Sequence, residues 1–163
     1  MNTFSDKRLL LSASGLSLLA GGTIYIMARP RNLLLFWIAD KGGLGTLLDI
    51  LRSSCPMAKC PEWLVYSLPG GLWALSYILI TDMLAYRLSV LPKVLLAGVI
   101  PMVGLLSELL QWMGWMPGTF DMTDILFYIS PYLLYILYNL LKMRKIEKYW
   151  ISRSSDITKT INQ

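Results

Sequence analysis

The sequence contains no histidine, and only two of its 163 residues are cysteine. The first absence removes the commonest metal ligand and the commonest general base. The second leaves a cysteine-based zinc site with two ligands and its other positions empty, and no metal is expected. Charge is scarce as well. Charged residues make up 15% of the chain, against about 25% in an ordinary soluble domain. Residues 94–107 and 125–141 carry no charge at all. What fills the space is apolar: hydrophobic residues reach 55% and the mean hydropathy is +0.53. These values describe a small integral membrane protein with room for one domain, 1–163.

The charge that is present is uneven. The net value is +5, and six of the fifteen cations lie in residues 142–163. Such a segment suits a basic tail beside anionic lipid. It is too short to form the folded basic face of a nucleic-acid reader, so no nucleic-acid partner is expected.

A membrane helix needs roughly 20 mostly apolar residues. Four segments meet or approach this, at about 9–28, 63–81, 94–112 and 122–141. Lys7 and Arg8 could open a signal peptide. The run after them is long for one, and Ile26 and Ala28 do not make a small-x-small cleavage site, so an uncleaved first span is expected. The expected fold is therefore all-α, a four-helix membrane bundle. With both termini inside, ten Lys and Arg fall on the cytoplasmic side and five outside. The positive-inside rule favours that orientation in the cell membrane, although five cations are many for the first external loop.

That loop has its own pattern. Leu33 to Ala39 is apolar but too short to span, and Lys41 to Gly45 (KGGLG) breaks it. Leu44, Leu47, Leu48 and Leu51 then recur at helical spacing. A short re-entrant or interfacial helix followed by an amphipathic one is expected, or a hydrophobic loop packed on the bundle. Cys55 and Cys60 also belong to the loop. In an oxidising space they could close a small ring, and free thiols are the alternative. In the second span, Pro69-Gly70-Gly71 predicts either a kink or close helix packing.

Acids stand out against this background. Glu108 and Gln111 share a helix face. Glu108 lies about 21 Å along a helix that starts at Val94, where an ionised carboxylate needs a partner. Gly114, Pro117 and Gly118 make a turn, and Asp121 and Asp124 open the next helix. Capping accounts well for one of these Asp residues. Glu108, Gln111, Asp121 and Asp124 are expected to converge on one outward polar pocket. Three acids there repel one another, so a shared cation or a retained proton would be needed.

The pattern Glu108-x-x-Gln111, Pro117-Gly118, Asp121-x-x-Asp124 resembles the VanZ-like family. The chain departs from the family pattern at Thr119, where an Arg would stand, at Tyr128 for an Asn and at Pro131 for a Gly. The resemblance implies a small bacterial multi-span membrane protein, with a named member associated with low-level teicoplanin resistance. The missing Arg leaves the acids without a cation between Lys93 and Lys142.

Three functions are consistent with these residues. The first is an accessory or binding protein of the cell envelope that holds a lipid-linked precursor or a glycolipid headgroup. The second is a carboxylate-based enzyme on a lipid-linked substrate, although no Ser-His or Cys-His pair is present. The third is a transporter, which with four spans and no internal repeat would have to oligomerise. No cofactor is expected.

Overall fold

The computed structural model describes residues 3–29, 34–54 and 60–161. All regular structure among these residues is helical. The elements are α1 (Thr3–Ala28), α2 (Leu34–Lys41), α3 (Gly45–Ser54), α4 (Glu62–Tyr66), α5 (Leu68–Leu84), α6 (Val90–Ala97), α7 (Val99–Trp112) and α8 (Met122–Ile161). By length and composition α1 and α8 can each cross a membrane, and α6 with α7 makes a third span if the bent pair counts as one. At 17 residues, α5 is apolar but falls just short. The short apolar run and the leucine repeat of the first loop became α2 and α3. Cys55 lies outside the described residues, and the disulfide expected between it and Cys60 lies outside them too.

Proline sets the breaks. Pro69 has no N–H for the Val65 carbonyl, so α4 stops at Tyr66 and α5 restarts with Pro69 in its first turn. Of the kink or close packing expected at residues 69–71, the structure shows the close packing, and the helix is interrupted ahead of them at Ser67. Pro101 does the same to the Ala97 carbonyl, and the chain bends by 42° between α6 and α7. Residues 142–161, read as a basic tail, continue α8 as helix.

The glycines next to the first break serve close packing. A side chain at Gly70 would strike the Tyr128 phenol, and one at Gly71 would strike Phe127. Gly104 of α7 meets Tyr128 from the other side. Tyr128 thus fills the seam between α5, α7 and α8. On its other flank α5 holds α1, where Ser14 Oγ donates to the Ser76 carbonyl at 2.9 Å and Gly21 admits the Trp73 indole. Residues facing away from these seams, including Leu9, Leu16, Leu19, Leu126, Leu134 and Leu141, are exposed. An apolar surface of that extent suits lipid and not water.

Arg52 ties the first loop down. Its Nη1 donates to the carbonyls of Ile26 and Arg29 at the end of α1. These are the carbonyls a helix C-terminus leaves unpaired, and a cation is a favourable partner for them.

Candidate functional site

The site is built at the turn end of the molecule, where α7 gives way to α8. The end of α7 is closed by its own backbone. The Gly114 N–H bonds to the Gln111 carbonyl at 3.0 Å and the Trp115 N–H to the Leu110 carbonyl at 2.9 Å. With Gly114 at φ +72° this is a Schellman closure, and glycine supplies the left-handed residue it needs. Gly118, at φ +141°, then lets the chain pass against the Gln111 carboxamide, where a Cβ would collide.

Glu108 is only 3% exposed. Its Oε2 accepts the backbone N–H of Asp121 at 3.1 Å, and its Oε1 accepts Gln111 Nε2 at 3.4 Å. The buried carboxylate therefore staples the start of α8 to the end of α7, across 13 residues of chain. Asp121 turns its own side chain elsewhere. Oδ1 accepts the Thr123 N–H at 2.8 Å, which makes Asp121 the N-cap of α8. Asp124 is half-buried in the first turn of α8, and its Oδ1 is buried with no hydrogen-bond partner. It lies within electrostatic range of Glu108.

The four predicted residues thus come together, with different tasks. Glu108 and Gln111 hold the turn, Asp121 caps, and Asp124 alone keeps a buried oxygen unused. Among the described residues no group of three or more acids or cysteines is placed to hold a metal ion. The division of labour predicts the effect of substitution at the cap. Asp121→Asn should be nearly silent and Asp121→Ala should cost about 1 kcal/mol, read as a fall in thermal midpoint of the purified protein. An equal loss from both would mean that the carboxylate charge, and not the cap, is what counts.

Sequence reasoning missed three neighbours. Arg29, at the end of α1, stacks over the rings of Tyr25 and Tyr66 at 5.4 and 5.0 Å. Its Nη2 makes a long 3.5 Å bond to the Tyr66 carbonyl, and its Nε is buried without a partner. The Tyr128 phenol lies within electrostatic range of Asp124, Glu108 and Arg29 together. Tyr128 therefore has a cation within range, contributed from nearly a hundred residues away. Ser67, beside Tyr66, is the third. Nothing in the local sequence of Arg29 or Ser67 distinguishes them from ordinary helix-end residues.

A second polar cluster lies at the opposite end. Asp82 Oδ1 accepts Lys93 Nζ at 2.5 Å and the Tyr135 hydroxyl at 2.7 Å, and Asn139 Nδ2 donates to the Tyr135 carbonyl. It borders an apolar cavity of about 680 Å³ between α1, α5 and α8. In sequence, Asp82 and Lys93 look like loop charges. No family model, no curated protein and no solved structure matches the chain.

Proposed function

We propose that this chain is a four-span protein of the cell membrane, similar to the VanZ-like family, that binds a polar headgroup at its outer face and acts as an accessory protein of the cell envelope. Both termini are cytoplasmic in this reading. The fourth span is α5 extended by α4, and α2 and α3 lie along the outer surface. The cations of the first loop fit an external position because three of them are engaged in the fold. Arg52 bonds to the end of α1, Arg29 stacks on two tyrosines and Lys41 sits over the Trp37 ring at 4.2 Å.

The observation that carries the reading is the buried Glu108 bonded to the Asp121 backbone, with Asp124 beside it. A carboxylate taken out of water at the end of a membrane helix is costly, and such residues face functional sites by default. Here it organises a turn that presents a further acid. The ligand class that suits the location is the headgroup of a lipid-linked envelope precursor or glycolipid.

The test has two arms. In a background without Cys55 and Cys60, Thr119→Cys should react with an impermeant maleimide in intact cells. In a glycopeptide-sensitive bacterial host, the wild-type chain should lower teicoplanin susceptibility. The Glu108→Gln, Asp124→Asn double variant, at equal abundance, should not. Labelling only after lysis would overturn the orientation. A double variant as protective as wild type, or a wild type without effect, would overturn the function.

A further inference from the structure

Among the described residues, three side chains, of buried Ser67 and half-buried Arg29 and Asp124, carry a buried polar atom with no hydrogen-bond partner: Arg29 at Nε, Ser67 at Oγ and Asp124 at Oδ1. Buried polar groups in folded proteins are nearly always satisfied, and an exception calls for a missing partner. They stand at the end of α1, the start of α5 and the first turn of α8. Ser67 is in helical conformation, φ −93° and ψ −42°, so the register of α5 extends to it. Gly70 and Gly71 of α5 face Tyr128 and Phe127 of α8. α5 and α8 run parallel, because Asp82 further along α5 meets Tyr135 further along α8. One turn back on each helix therefore sets Ser67 against Asp124. Arg29 completes the group through the carbonyl of Tyr66, next to Ser67, and through its range to Tyr128.

Ser67 is only 2% exposed, so its hydroxyl has no access to bulk water. The three atoms also differ in kind. Arg29 Nε–H can only donate and is cationic. Asp124 Oδ1, as a carboxylate, can only accept and is anionic. The serine hydroxyl can do either. A simple cation would leave Arg29 unsatisfied, and a simple anion would leave Asp124 so. Both are answered by a group that carries an N–H cation and an oxyanion a few bonds apart.

We propose that Arg29, Ser67 and Asp124 form a binding site for a zwitterionic group, its ammonium towards Asp124 and its oxyanion towards Arg29, of the kind found in ethanolamine phosphate. This rests on the outer end of the molecule being a headgroup site, and it names the chemistry of that headgroup. Charge-assisted hydrogen bonds at both ends supply the selectivity.

The experiment uses the full chain purified in neutral detergent, with thermal midpoint and tryptophan fluorescence as readouts. The probes are short-chain phosphatidylethanolamine, phosphatidylcholine and phosphatidylglycerol, together with soluble phosphoethanolamine. Phosphatidylethanolamine should raise the midpoint. Phosphatidylcholine has no ammonium N–H and phosphatidylglycerol has no ammonium, so neither should. A response to soluble phosphoethanolamine as well would assign the site to the free headgroup, and a response to the lipid alone would assign it to the membrane.

Arg29→Gln and Asp124→Asn should each weaken phosphatidylethanolamine binding by about tenfold or more. Ser67→Ala guards against variants that merely misfold. It removes a hydroxyl without a partner, so the unliganded midpoint should hold or rise, while affinity falls several-fold. Equal binding of phosphatidylglycerol, unchanged affinity in Ser67→Ala and Asp124→Asn, or no response to any probe would overturn the assignment. If the teicoplanin result of the Glu108→Gln, Asp124→Asn variant held while these failed, the headgroup site would stand with a different ligand.

Discussion

Gly104→Leu should leave little folded protein. The Cβ alone would stand 2.7 Å from the Tyr128 ring, well inside contact distance. Tyr128 has no room to retreat, because its phenol already abuts Gly70 on α5. α7 would have to move off α8, and the Glu108 bond to the Asp121 backbone would break with it. Overpacking by a few methylenes costs about 1–3 kcal/mol, and the lost staple adds to that. Size-exclusion profiles and thermal midpoints in detergent give the readout. Gly22→Leu is the control, because nothing lies within 4 Å of a Cβ there and leucine favours helix. If Gly104→Leu matched Gly22→Leu in yield and midpoint, the α7–α8 seam would not be as described.

The second large effect is expected at Lys93. Its ammonium pairs with Asp82, and the two side chains are 13% and 16% exposed. Removing one partner of a mostly buried pair leaves the other charge uncompensated, at about 3–5 kcal/mol when fully buried. Residual exposure brings the expectation for Lys93→Met to about 2–4 kcal/mol. Adding Asp82→Asn should restore most of it. Asparagine keeps an acceptor for the Tyr135 hydroxyl and carries no charge. Additive losses in the double-mutant cycle would mean that the pair contributes nothing.

These cases show where the sequence was readable. The apolar runs became helices because the absence of charge over 14 or 17 residues leaves little else for them to do. The KGGLG break and the leucine repeat located α2 and α3. Gly114 and Gly118 marked the turn, and both hold positive φ. Residue spacing also brought Glu108, Gln111, Asp121 and Asp124 to one end. It could not say which carboxylate would be spent on the backbone and which left unpaired. That depends on the path of nine residues, Trp112 to Phe120, and not on their identity. Arg29 was counted as a loop charge, and so were Asp82 and Lys93. A charge next to an apolar run looks the same whether it meets water or folds back onto another helix. Its partner can be dozens of residues distant, as Tyr135 is from Asp82.

The packing of α1 has a bearing on how the chain assembles. α1 packs chiefly on α5, with support from α3 and α4, so every major neighbour of α1 has been synthesised by Leu84. The end of α8 at Ile161 lies roughly eighty residues further on, which at about 5–20 residues per second takes several seconds or more to make. Helix formation is complete within microseconds. The N-terminal half can therefore pair long before α8 exists, with the Gly70–Gly71 surface of α5 waiting bare. The order is fixed by topology: α8 arrives last, on a platform already built, and its docking of Tyr128 between Gly70 and Gly104 is the step that joins the two halves.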